Sequence, residues 1–338
     1  MRDASTGIAL LLIAGVMNAS FTLPMKFTRN WCWENTWSVW TLWALLILPS
    51  AVALLTVPRL ATVYAHAGMG NVLLVAACGM GWGIAQVLFG LAVEVIGIAL
   101  AFSIVLGLSA AMGSLVPLLR LHPEKVMAPA GFGVLAGVLL VVVGVSVCAV
   151  AGRKREKATA TLARSGVSTS AGLLIAIVSG VAAAAMNFGV AFGQPLINSA
   201  QAAGAGPAWS TSAVWVPLLV AAAVPNLLYC AFLMRKNRTA ANFRVPGTAS
   251  YWILAALMAF LWFFSTLLYG VASGRLGELG PVLGWPFFMS LIVIVASMLS
   301  VMTGEWKDAG RGPLLIQLTG VGILVIAVIV LSQAGQYV

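Results

Sequence analysis

Charge is what this sequence lacks most. Asp, Glu, Lys and Arg together supply 8% of 338 residues, against about 25% in soluble globular domains. Such a chain cannot cover a water-facing surface, and a soluble enzyme or binding module is excluded. Histidine is almost absent, with two residues, and the four cysteines Cys32, Cys78, Cys148 and Cys230 stand alone with no C-x-x-C pair. Neither a zinc site nor a disulfide framework is indicated, and no cofactor or metal is expected. Long polar stretches are missing too: the longest connections, 151–169, 192–208 and 234–248, leave no room for a nucleotide-binding domain. ATP therefore does not drive this protein directly, and whatever it does happens inside a bilayer.

What is present is apolar. Hydrophobic residues make up 62% of the chain and mean hydropathy is +1.05. Runs of about 20 apolar residues, each long enough to cross a hydrocarbon core as a helix, fall near 7–25, 36–57, 71–93, 97–119, 128–150, 170–191, 209–233, 249–272, 280–302 and 313–333. These predict an all-α membrane protein of ten transmembrane helices. The first run, behind Arg2, loosely resembles a secretory signal, but it continues to Leu23 and more spans follow, which favours a retained helix.

The net charge of +10 forms no stripe on a folded domain, so nucleic acid is not an expected partner. Its distribution orients the chain instead. Arg2, Arg59, Arg120, Lys125 and Arg275 fall on the side of the N-terminus. The other thirteen basic residues, including Arg153, Lys154, Arg155, Lys157 and Arg164, fall on the opposite side. Positive loops stay in the cytoplasm, so the connector 151–169 is predicted cytoplasmic and both termini periplasmic.

The chain also echoes itself. WGIAQVLFGLAVEVIG at 82–97 aligns with WFFSTLLYGVASGRLG at 262–277, matching Trp82 with Trp262, Gly90 with Gly270 and Gly97 with Gly277. Gly7 and Gly15 of the first span have the spacing of Gly172 and Gly180 of the sixth. Two readings stand. One is the ordinary use of glycine and tryptophan for close helix packing. The other is a five-span repeat, 1–151 and 170–338 around a basic connector at 152–169. Five is odd, so the second copy would be inverted, as in alternating-access carriers.

Three stretches in combination, LPMKFTRNWCWENTWSV at 23–39, WGIAQVLFGLAVEVIG at 82–97 and EWKDAGRGP at 305–313, resemble the L-rhamnose–proton symporter family of the drug/metabolite transporter superfamily. The resemblance runs the length of the chain. It implies a ten-helix bundle of two inverted five-helix halves in a bacterial inner membrane, coupling proton entry to uptake of a deoxyhexose; the chain is expected to work as monomer or homodimer. An exporter of another small polar solute is the alternative.

A sugar site needs an aromatic face for the C–H edge of the ring and hydrogen-bonding groups for its hydroxyls. Trp33, Trp37 and Trp40 share one helical face by their i, i+4, i+7 spacing, with Trp37 open to both sugar contact and an interfacial belt. Trp82, Trp262 and Trp285 lie deeper in their spans, as sugar contacts or core packing. Among the few in-span polar residues, Asn18, Gln86 and Asn187 are candidates for hydroxyl binding, with interhelical hydrogen bonds as the plainer reading; Asn226 and Gln317 complete that set. Proton coupling asks for a buried carboxylate. Asp3, Glu124, Glu156, Glu305 and Asp308 read as solvated loop residues, and Glu94 and Glu278 as surface charges in short turns. Glu34 differs, lying among five of the twelve tryptophans in WCWENTWSVWTLW at 31–43. It is a candidate proton-coupling group with Lys26 as a partner for its ionised form, or else a helix-entry carboxylate that caps the second span or pairs with Arg29. GMGWG at 79–83 is not a dinucleotide fingerprint, since Ile84 stands at its last position. NRT at 237–239 fits a glycosylation pattern that a cytoplasmic loop would not use.

Overall fold

The computed structural model describes residues 2–158 and 168–335. Arg164 and the centre of the connector 152–169 lie outside them. The described chain is helical with no strand, and ten stretches are long and apolar enough to cross a membrane: Ser5–Phe27, Trp33–Thr56, Met69–Ile96, Ile98–Leu121, Pro129–Ala158, Thr169–Ala202, Ser212–Asn237, Ala249–Arg275, Gly280–Met302 and Arg311–Ala334. All ten expected spans are there. With no water in hydrocarbon, each backbone N–H and C=O must be satisfied within the chain, which is why apolar runs of this length become helices.

Three of them differ from a plain apolar run. The second span widens into a π-helix over Leu42–Ile47, just before Pro49. Proline has no N–H and its ring crowds the carbonyl four residues back, so the turn opens and the Leu48 N–H donates to the Trp43 carbonyl. The fifth helix runs to Ala158, past the expected end near 150. Thirty residues span about 45 Å at 1.5 Å per residue, so its last turns, carrying Arg153, Lys154, Arg155 and Lys157, project beyond a core about 30 Å thick. The sixth span continues past its expected limit near 191 as Thr169–Ala183, Ala185–Phe192 and Gln194–Ala202. Gly193 breaks the run, and Pro195 restarts it in a first turn, where a missing N–H costs nothing.

The helices form two compact units. The first comprises Met1–Ala19, Ala85–Asn187 and Ala272–Val338. Small residues bring its helices together: a Cβ on Gly15 would stand 2.6 Å from the Leu291 side chain, one on Gly180 2.8 Å from Leu108, and one on Gly172 2.5 Å from Ile96. Two ion pairs tie its connections, Lys125 with Glu278 and Arg155 with Glu305 at 3.0 Å, and the Arg155 guanidinium also lies 5.1 Å over the Trp306 ring.

Glu156 corrects the expectation of a solvated loop residue. It is 4% exposed, and its Oε1 accepts from the Ala99 N–H at 2.9 Å, at the start of the fourth span. A carboxylate is stabilised there by the free N–H groups and positive dipole of a helix N-terminus. The tight turn between spans three and four puts Gly97 at φ 84, and a Cβ there would stand 2.9 Å from Glu156 Oε2. Glycine alone satisfies both demands.

The second unit comprises Ser20–Ile84 and Phe188–Val271. Its third and seventh spans touch backbone to backbone: a Cβ on Gly83 would stand 2.5 Å from the Ala222 carbonyl, and one on Gly79 would collide with the Leu218 carbonyl. A short helix, Leu60–Ala67, occupies the connection between spans two and three, where Tyr64 donates to the Ala213 carbonyl at 3.1 Å.

Candidate functional site

The second unit gathers the indoles. From the start of the second span, Trp33 stacks on Trp37 at 5.1 Å between centroids, Trp37 meets Trp40 at 4.3 Å, Trp40 meets Trp262 at 5.2 Å, and Trp262 stacks on Trp82 at 5.4 Å. Five rings from three spans thus form one continuous series. The i, i+4, i+7 spacing explains its first three members; only the fold shows that Trp262 and Trp82 extend it. Trp40 is fully buried, and its Nε1 has no hydrogen-bond partner among the described residues. Phe21 packs against both Trp37 and Trp40.

Asn226 of the seventh span fixes this series in place. Its Oδ1 accepts from Trp37 Nε1 at 3.1 Å, while its Nδ2 donates to the Ala222 carbonyl at 3.0 Å and, more weakly, to the Gly83 carbonyl at 3.4 Å. One amide therefore joins spans two, three and seven, at a depth where an unpaired amide is costly. Its bonds make it the pivot of the unit.

Glu34 lies one turn before Trp37, 4% exposed. Its Oε1 accepts from Thr239 Oγ1 at 2.7 Å and from Asn237 Nδ2 at 3.0 Å. Beside it, Asn35 accepts from the Cys32 N–H and from Asn242 Nδ2, and donates to the Thr239 carbonyl at 2.9 Å. Trp31, packed edge-on against Phe243, Tyr251 and Trp252, donates to the Asn242 carbonyl. The 3-10 turn Thr239–Arg244 is thereby clamped onto the first turn of span two. Of the candidate partners, Lys26 lies exposed on the 3-10 turn Leu23–Phe27. The Glu34 carboxylate accepts from two neutral donors, and Asn237, the asparagine of NRT, is one of them.

The remaining candidates belong to the first unit. Asn187 is fully buried and donates to the Gly113 and Pro281 carbonyls at 2.7 and 2.9 Å. Trp285 Nε1 donates to the Ser109 carbonyl at 3.0 Å, with its ring against Gly113. Both make the interhelical bonds of the plainer reading. Asn18 is 9% exposed and Gln86 half-buried. Trp37, Trp82, Trp262, Glu34 and Lys26 thus share one unit, and Asn18, Gln86, Asn187 and Trp285 the other. The first unit also carries an open pocket of about 220 Å³ lined by Ser103, Arg155, Ser297, Ser300, Trp306 and Gln317 among others. Its donors are already used internally, Gln317 Nε2 on Ser297 Oγ and Trp306 Nε1 on Ser300 Oγ. Among the described residues, no three His, Cys, Asp or Glu side chains come together as a metal site would need.

Sequence reasoning gave Asn226 no special role, and its only signal was an amide in an apolar helix. Asn237 and Thr239 fall in the connection 234–248 by sequence and, some two hundred positions from Glu34, carry no local signature.

Ten apolar spans, with an indole series and an amide pivot inside one unit, define a multi-pass helical membrane protein. The sequence pattern of the L-rhamnose-proton symport protein family matches residues 1–335, and the chain belongs to that family. It is 28% identical over 335 residues to the L-rhamnose-proton symporters of Salmonella dublin and Salmonella enteritidis PT4, and 27% identical to that of Salmonella typhi, covering 97% of each chain in every case.

Proposed function

We propose that this protein carries L-rhamnose, or a closely related deoxyhexose, inward across a bacterial inner membrane together with protons. Family membership and full-length similarity to named L-rhamnose-proton symporters support the solute and the coupling ion. The observation that carries the reading for this chain is the five-indole series, ending at a buried carboxylate.

A 6-deoxy sugar has an apolar edge, formed by its methyl group and ring C–H bonds, and a set of hydroxyls. Indole faces suit the former, and the unpartnered Nε1 of Trp40 suits the latter. In this reading Trp37, Trp82 and Trp262 contact the ring, and Asn226 sets the angle of Trp37. Two inverted five-span halves, 1–151 and 170–338, supply the alternating access that such a carrier needs.

Glu34 is the coupling group. As a carboxylate it accepts from Asn237 and Thr239; on protonation it gains an O–H and loses acceptor capacity. Protonation loosens the clamp between the turn Thr239–Arg244 and span two, which carries the indoles. Proton and sugar then act together if both favour the same conformation. Lys26 is the proposed partner of the ionised form.

The test is Glu34→Gln in proteoliposomes. Glutamine cannot titrate but keeps an acceptor oxygen. Accumulation of L-rhamnose driven by an imposed pH gradient is expected to be lost, while exchange of labelled for unlabelled sugar continues. Undiminished accumulation by the variant removes Glu34 from the coupling step, and a wild-type protein that moves no L-rhamnose refutes the transport reading itself.

A further inference from the structure

We propose that Thr211, Ser212 and Trp215, at the start of the seventh span, form an outer subsite that binds sugar hydroxyls before the ring reaches the indole series. The inference rests on the transport reading above. It starts from three polar groups that end nowhere: Thr211 Oγ1, Ser212 Oγ and Trp215 Nε1 are buried and have no hydrogen-bond partner among the described residues. The side chains are 6%, 2% and 1% exposed. Buried polar groups in folded proteins are overwhelmingly paired, and exceptions call for an explanation.

Looseness of this region does not explain them. Ser210, the preceding residue, donates to the Pro207 carbonyl and accepts from Gln201, and the Ala213 carbonyl takes the Tyr64 hydroxyl. The neighbours are satisfied and these three are not. Two of them also lie together beside Gly270: Trp215 Nε1 and Thr211 Oγ1 are 3.2 and 3.3 Å from the point where a Cβ on that glycine would stand. Thr211 and Trp215 are four residues apart, on one face of the helix start. A larger residue at 270 would press on both groups.

Chemistry and position together suggest the ligand. An indole N–H only donates, and Thr and Ser hydroxyls donate and accept, so the complement is a neutral solute with oxygens on adjacent atoms. A polyol such as a monosaccharide matches, and it adds no uncompensated charge to an apolar setting. The seventh helix has 26 residues, about 39 Å at 1.5 Å per residue, and Asn237 at its far end holds Glu34. The three donors and the coupling carboxylate thus mark opposite ends of one helix. With the proposed orientation, the donor end faces the periplasm, from which the sugar comes.

The test uses Thr211→Val, Ser212→Ala and Trp215→Phe in the full-length protein, with uptake of L-rhamnose and its monodeoxy analogues measured in proteoliposomes. Each lost donor is expected to raise KM about five-fold, the worth of one neutral hydrogen bond, with kcat within about two-fold of wild type. The telltale readout is selectivity: a variant lacking the donor no longer discriminates against the analogue lacking the matching hydroxyl, which a merely structural role would not produce. Unchanged KM values and an unchanged analogue ranking overturn the proposal and leave these donors served by ordered water only. If Trp215→Phe fails to fold, Thr211→Val decides alone. If wild-type protein moves no L-rhamnose, the transport reading fails, and the subsite is judged by thermal-shift binding of a monosaccharide panel. A shift seen in wild type and lost in Thr211→Val supports it; an equal shift in both, or none in either, overturns it.

Discussion

Single residues in this protein carry more than their usual share, because so few polar groups are available. Asn226 is the clearest case: its amide serves three spans, and truncation to Ala would orphan Trp37 Nε1 inside the unit. We expect Asn226→Ala to lower unfolding stability in detergent by about 1–3 kcal/mol and to reduce L-rhamnose transport, whereas Asn226→Asp, which keeps the acceptor, retains the Trp37 bond at the expense of an added charge. Glu278 is a different sort of residue, an exposed carboxylate whose pKa is held below the ordinary 4.5, first by its hydrogen bond to Lys125 and then by that charge. A depressed carboxylate pKa contributes stability above its unfolded value, and the contribution disappears as pH falls through the folded one. Melting curves of wild type and Glu278→Gln should therefore differ, modestly, at neutral pH and converge once the pH has fallen through the lowered folded-state pKa. Equal curves at neutral pH would show that the ion pair contributes nothing measurable.

At the scale of helices, the apolar runs were legible because length and hydropathy are what a bilayer selects for. Their details were not. GQP at 193–195 reads as a stop, yet Pro195 fits the first turn of a new segment, so the sixth span runs on. Glu156 sits in RKREK, which looks like a solvated cluster; only the fold brings the start of span four beneath it. Glu156→Ala is expected to destabilise the protein by about 1–2 kcal/mol through loss of that cap, with Glu156→Gln milder, as read by thermal unfolding. The third and seventh helices approach so closely that side chains do not fit between them. Gly83→Val should cost about 1–3 kcal/mol or more by overpacking, and because it pushes Ala222 it should also shift Asn226 and lower transport. A melting temperature unaltered in Gly83→Val would mean that the helices part freely there.

On the scale of the whole chain, each compact unit draws on both halves of the sequence, so no cut in the chain separates one from the other. The membrane class and the family were readable from composition and from a few tryptophan- and glycine-bearing stretches. The indole series was only half readable: local spacing gave Trp33, Trp37 and Trp40, while Trp82 and Trp262 depend on how distant helices meet. The proposed orientation makes its own prediction. With native cysteines replaced, a membrane-impermeant thiol reagent applied to whole cells should modify Ala203→Cys but not Lys307→Cys, and inverted vesicles should reverse the pattern. The opposite result would turn the protein over and move the basic helix ends outside.

Rings spaced 4.3 to 5.4 Å apart do not absorb light independently. Their transition dipoles couple, so the five chromophores should give a bisignate signal in ultraviolet circular dichroism and pass excitation energy along the row. Slipping a sugar against any one ring, or tilting span two when Glu34 changes state, would alter that signal without an added label. With the proposed site, that signal would serve as a spectroscopic gauge of occupancy, readable in the same cuvette in which proton and solute are titrated.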